Sequence, residues 1–112
     1  YKGIKISSGN SFVHETESQV ILNGSYNINF TMDLVKKDMN LFNELSKKLN
    51  TQLEISPFVL DIFKDAEKKY GSRAWSSMVV KRLEDKFDIN FRATGFPSEL
   101  VDDEKEEKGY EI

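Results

Sequence analysis

Cysteine is absent from all 112 residues, which excludes disulfide bridges, thiolate metal ligands and a thiol nucleophile. Histidine occurs once, at His14. With no second histidine at ligand spacing, a metal would have to rest on Glu15 and Glu17, so no metal site is expected and His14 reads as a surface residue. Ser11 stands three residues before it, but nothing polarises the two into a nucleophile and base. No apolar run approaches the roughly 20 residues that cross a bilayer, and the first residues lack the charged-then-apolar order of a secretory signal. No membrane partner is expected. Basic residues are not in excess either: 16 Lys and Arg are scattered among 19 Asp and Glu, a net charge of −3. No stripe of positive charge exists to neutralise a phosphate backbone, so nucleic acid is not an expected partner.

What is present is amphipathic periodicity on the scale of one domain. Phe12, Val13, Val20, Ile21 and Leu22 mark a short helix after a break at Gly9-Asn10, and Asn23-Gly24-Ser25 is a turn signal. Tyr26 to Phe30 is expected to cross in extended form to a long helix, in which Phe30, Leu34, Val35, Leu41, Phe42, Leu45 and Leu49 recur at three-four spacing. Ser56-Pro57 predicts the next start, with Ser at the N-cap and Pro at the first helical position. Val59, Ile62, Phe63, Ala66 and Tyr70 form its apolar face, and Gly71 its stop. Trp75, Met78, Val79, Leu83 and Phe87 repeat the pattern over 73–87, with Glu84, Asp85 and Lys86 on the opposite side. Three such helices around a shared core predict an all-α bundle. Ile89 and Phe91 then alternate with polar residues up to Gly95-Phe96-Pro97, a short extended segment. The helical domain is expected over 1–97 and a mobile acidic tail over 98–112.

Two charges interrupt the long helix. At about 100° per residue Asp38 projects into the middle of the apolar arc and Lys37 falls on its edge, on the side of Phe30, while Lys36 points away. A carboxylate on a buried face needs a partner or an N–H to hold, so Asp38 is expected to have one. On another helix, Phe58 and Leu60 lie off the buried arc and predict apolar surface left for a second subunit.

The run Phe30-x-x-x-Leu34-Val35-x-Lys37-Asp38 resembles the F-x-x-x-L-x-x-K-D-L signature in the C-terminal domain of the β-hydroxyacid dehydrogenases, which include 3-hydroxyisobutyrate, tartronate semialdehyde and L-threonate dehydrogenases. Ser8-Gly9-Asn10-Ser11 is similar to the S/A-x-G-N-S segment of the L-threonate branch. Gly24-x-Tyr26, Pro57, Tyr70-Gly71 and Ser77-x-Val79-Val80 come next in the family's order, so the likeness spans about residues 5 to 84. It implies an all-α bundle like the C-terminal domain of 6-phosphogluconate dehydrogenase, in a cytoplasmic enzyme that uses NAD or NADP on a small hydroxy acid.

The same resemblance implies roles. Lys37 would contact the nicotinamide end of the cofactor, Phe30 would line the cleft, Asn10 and Ser11 would sit near substrate, and Asp38 would anchor the helix start. For Asn10 and Ser11 the plainer role, capping the short helix, stands beside that one. The Rossmann domain with its G-x-G-x-x-G loop, and the catalytic Lys of the interdomain helix, should lie upstream of Tyr1. The chain is thus expected to be a domain of a homo-oligomeric dehydrogenase and inactive alone. Trp75 replaces an acidic residue of the family pattern and Glu17 an Arg of the threonate-like members, so the identity of the hydroxy acid does not transfer. The competing class is a non-catalytic helical interaction module, in which Lys37-Asp38 is only an ion pair.

Overall fold

The structure, a computed structural model, describes residues 1–102, 105 and 109. It is all-α, as expected. The elements in chain order are α1 (Lys2–Lys5), α2 (Phe12–Asn23), α3 (Met32–Lys48), α4 (Ile55–Tyr70), a 3₁₀ turn (Ser76–Val79) and α5 (Lys81–Phe87). Most of the expected acidic tail lies outside the described residues.

The hub is the 3₁₀ turn, which α2, α4 and α5 all meet, while α3 packs along α4. Its Ser76 and Ser77 are buried. Around it lie Val20, Tyr26, Ile28, Met32, Leu60 and Ala66, the buried apolar residues among those described. Val20 and Thr16 form the inner face of α2 one turn apart. Gly24 ends α2 at φ 93° and its N–H reaches the carbonyls of Val20 and Ile21, a left-handed cap that favours glycine. Lys36, which turns toward α4 rather than away from contact, pairs with Glu67 across the α3–α4 interface.

Four expectations are corrected. Residues 26–30 do not run extended: Tyr26 (φ 56°) and Asn29 (φ 59°) are left-handed, which turns the Tyr26 ring inward. The start of α4 is Ile55, so Ser56 is not its N-cap and Pro57 is its third residue. Proline is tolerated there because the first-turn N–H groups have no intrahelical acceptor. The single helix expected over 73–87 is divided into the 3₁₀ turn and α5. A 3₁₀ turn advances 120° per residue against 100°, so four residues rotate the following register by about 80°. Leu83 and Phe87 therefore become exposed and Glu84 is buried. Leu60, expected to be off the buried arc, is in the core.

The apolar arc of α3 is the largest departure. Leu41, Phe42, Leu45 and Leu49 are each more than half exposed, as are Ile55 and Phe58 on α4. Among the described residues α3 is covered along one side only, by α4, so this second flank faces solvent. Asp38 consequently lies at the surface and not in a buried face.

Candidate functional site

The N-terminus of α3 is assembled by backbone pairing with the segment after α4. Thr31 and Trp75 form an antiparallel bridge. The N–H groups of Met32 and Asp33 donate to the carbonyls of Ala74 (2.8 Å) and Ser72 (3.0 Å), and Ser76 N–H donates to the Phe30 carbonyl (2.8 Å). Two N–H groups that a helix leaves unsatisfied at its start are thereby satisfied. Asp33 completes the cap: it accepts from the Thr31 hydroxyl, from Leu34 N–H at 3.0 Å and from Arg73 at 3.0 Å. The Thr31 hydroxyl, followed by Arg73, holds the Asp33 carboxyl below the usual carboxylate range. The helix-anchoring role expected of Asp38 therefore belongs to Asp33, five residues earlier, because only the first turn has free N–H groups to anchor.

One turn beyond Asp33, Lys37 Nζ lies 3.0 Å from Asp38 Oδ1, with the two side chains 60% and 55% exposed. An exposed pair contributes only about 0–1 kcal/mol, so another anionic or polar group can take the ammonium at little cost. Phe30 is half-buried two residues before α3, its carbonyl fixed by Ser76. Beside the pair opens a groove of about 660 Å³ lined by Asp38, Met39, Phe42, Leu53, Ile55 and Val59, with Gln52, Glu54 and Ser56.

Asn10 and Ser11 belong to the start of α2. Ser11 Oγ accepts from His14 N–H at 3.0 Å, and the Asn10 amide donates to Glu15 Oε1 at 2.5 Å. Glu15 also meets Lys5 at 2.9 Å. Ser11 thus performs the capping role, while the Asn10 side chain binds Glu15 and caps no backbone N–H among the described residues. Because α2 meets α1 and the 3₁₀ turn, they stand apart from α3 in the fold, and no described hydrogen bond joins them to Phe30 or Lys37. His14 is not a plain surface residue: its ring stacks on Tyr1 at 5.3 Å and its nitrogens face the Tyr1 carbonyl (3.1 Å) and Ser18 Oγ (3.2 Å). Glu17 is half-buried, and burial raises its carboxyl above the usual range.

A buried polar cluster was not anticipated from sequence. Glu84, 3% exposed, accepts from the Tyr26 hydroxyl, from Arg92 at 2.6 Å and from Phe91 N–H at 2.9 Å. Arg92 also donates to the Tyr26 hydroxyl at 2.8 Å, its guanidinium 5.3 Å from the ring centre. Burial would raise the Glu84 carboxyl, but Arg92, Tyr26 and the Phe91 N–H together hold it below its ordinary value. Burial, followed by the Glu84 carboxylate, pushes the Tyr26 phenol up to about 12. The signal that could have located the cluster is the spacing from Ser77 through Val80 to Glu84, legible once the 3₁₀ turn is recognised.

The geometry defines an all-helical domain with an exposed, exchangeable lysine beside the capped start of its longest helix. A model of the family described as NAD-binding of NADP-dependent 3-hydroxyisobutyrate dehydrogenase matches residues 1–83, and the chain belongs to that family. It is a dehydrogenase-related domain of the β-hydroxyacid dehydrogenase type. No curated protein and no solved structure matches it.

The Tyr26 phenol sets a stability limit in alkali. Folded Tyr26 keeps its proton up to about 12, whereas the unfolded chain releases it near 10. Stability present below pH 10 is therefore lost as pH rises through the folded value, by about 1.4 kcal/mol per unit. Urea unfolding at pH 9 and 11.5 is expected to show this fall in the native chain, and a shallower one in Tyr26→Phe. Equal falls in the two proteins would remove the phenol as the cause.

Proposed function

We propose that the chain is the C-terminal helical domain of an NAD(P)-dependent dehydrogenase acting on a small β-hydroxy acid, of the 3-hydroxyisobutyrate, tartronate semialdehyde or L-threonate type. In this reading it closes over a cofactor held by a Rossmann domain elsewhere in the protein. The observation that carries it is the placement of Lys37 on an open face of α3, paired among the described residues with its neighbour Asp38 alone, within the span matched by the family. The residues present fit one end of such a cofactor. Lys37 offers a replaceable cation to the nicotinamide half, but no Gly-rich turn for a pyrophosphate occurs in the sequence.

When bound, the nicotinamide ring supplies hydride chemistry; the residues here orient and shield it. Once Lys37 has exchanged Asp38 for the cofactor, its ammonium offers a donor and a positive charge at the nicotinamide end. Phe30 forms an apolar wall that keeps water from the cleft. Ser11 can still donate its hydroxyl proton to a substrate carboxylate or hydroxyl while its oxygen caps α2, and the Asn10 side-chain carbonyl has no hydrogen bond among the described residues. The exposed flank of α3 and α4, with Phe58, Leu41, Leu45 and Ile55, carries the contact between subunits. Six side chains each more than half exposed offer on the order of 600 Å², against roughly 800 Å² per partner in a stable interface.

Two measurements test this reading. In the enzyme reconstituted with its Rossmann domain, Lys37→Met is expected to lower kcat/KM for the cofactor about tenfold, or about 1.4 kcal/mol, with Asp38→Asn within about twofold. An unaltered Lys37→Met enzyme would end the proposed role. For the subunit contact, light scattering should show an oligomer that Phe58→Glu converts to monomer; a native monomer at high concentration would exclude the contact.

A further inference from the structure

Residues 25–30 connect α2 to α3 without a helix or strand of their own. Two of them are left-handed non-glycine residues, Tyr26 and Asn29, a backbone region that costs an ordinary residue about 1 kcal/mol or more. The path of this segment is therefore set from outside. Four anchors do so, the first being the Tyr26 N–H, which donates to the Val20 carbonyl at 3.1 Å. Ser77 Oγ donates to the Tyr26 carbonyl at 2.6 Å, Ser76 N–H holds the Phe30 carbonyl at 2.8 Å, and Glu84 with Arg92 grips the Tyr26 hydroxyl.

The grip of Glu84 and Arg92 on the Tyr26 hydroxyl has a different origin from the rest. The family match ends at residue 83, and Glu84 and Arg92 both lie past that end. Beyond α5 the chain crosses the end of α2: Ala93 N–H donates to the Leu22 carbonyl at 3.0 Å and the Asn23 amide to the Phe96 carbonyl at 2.9 Å. The Phe96 ring then meets Tyr1 edge-on at 5.2 Å. Arg92 is inserted between these contacts, also reaching the Ile21 carbonyl at 3.3 Å. It lies so close to Gly24 that a β-carbon there would run into it. This is a crowded position for a flexible side chain, and its fork serves Glu84, the Tyr26 hydroxyl and the carbonyls of Ile21 and Phe91 at once.

We propose that Arg92, seated on Glu84, is a positioning residue that acts through Tyr26: it fixes the path of residues 25–30 and so the place of Phe30 beside the start of α3. That Phe30 lines a cofactor cleft rests on the function proposed above; the positioning does not. The strap formed by residues 88–97 thereby contributes to the site without touching it. Removing the Arg92 fork leaves Tyr26 in an unfavourable backbone region with one side-chain anchor fewer, so the segment should open locally while the α3–α4 pair stays closed.

Amide hydrogen exchange of the full 112-residue chain, read residue by residue by NMR, tests this. In Arg92→Gln the N–H groups of Ile28 and Ser76, which donate to the Tyr26 and Phe30 carbonyls, are expected to exchange at least about tenfold faster. Those of Leu60 and Ala66 in α4 should change less than about twofold. Arg92→Lys should recover part of the protection, since an ammonium can meet Glu84 but not also reach the phenol. Equal acceleration at Ser76 and Ala66 would show that Arg92 supports only global stability and would overturn the proposal. So would unchanged exchange at Ile28 and Ser76 in both variants. If Arg92→Gln fails to fold, the comparison is made on Arg92→Lys alone, with the same two outcomes. The expected pattern together with an unchanged cofactor KM in the reconstituted enzyme would retain the positioning and remove the role of Phe30.

Discussion

The backbone pairing between Phe30–Asp33 and Ser72–Ser76 is the constraint on which the rest depends. It supplies acceptors for the first N–H groups of α3, joins the end of α4 to the 3₁₀ turn, and holds the Phe30 carbonyl. Without it α3 would begin with unsatisfied donors and the side chains at its start would have no fixed direction. Asp33 matters for the same reason. It closes this corner with Thr31 and Arg73, and Lys37 comes one turn later on a helix whose starting point is already set.

The packing around that corner is unusual in its balance. Among the described residues the buried apolar set is short, and five polar or charged residues, Thr16, Thr31, Ser76, Ser77 and Glu84, are buried with it. A buried carboxylate is costly unless its lone pairs are filled. Glu84 fills them with a phenol, a guanidinium and a backbone N–H. Specific hydrogen bonds, rather than a large oily interior, thus hold α5 and the strap beyond it to α2 and Tyr26, while large apolar side chains of α3 and α4 remain at the surface. The two halves of the domain are held by different physics: a polar, directional network near the 3₁₀ turn, and a helix pair with one uncovered flank.

That division explains what could be read from the residues in order. Ser11 before α2 and Gly24 after it act locally, through caps that need no tertiary partner, and both were legible. The long periodic runs of α3 and α4 were legible too, within a few residues of their ends. The family resemblance rested on Phe30, Leu34, Lys37 and Asp38, positions close in sequence. What escaped was non-local. A 3₁₀ turn at Ser76–Val79 is dictated by the pairing of Trp75 with Thr31, more than 40 residues away, and it rotates Glu84 inward. The burial expected for Asp38 failed because periodicity identifies an apolar face but not whether anything covers it.

In the function proposed here, the open lysine at the head of α3 stands on one side of a cleft, its geometry set by the corner at Thr31–Trp75. The most direct test is a crystal structure of the chain joined to the Rossmann domain proposed for it, with a nicotinamide cofactor bound. The Lys37 ammonium is expected to leave Asp38 and lie within hydrogen-bond reach, about 3 Å, of the nicotinamide half, with the Phe30 ring against the same half. A cofactor bound with Lys37 still turned to Asp38 in solvent, and Phe30 remote from the ring, would contradict that function.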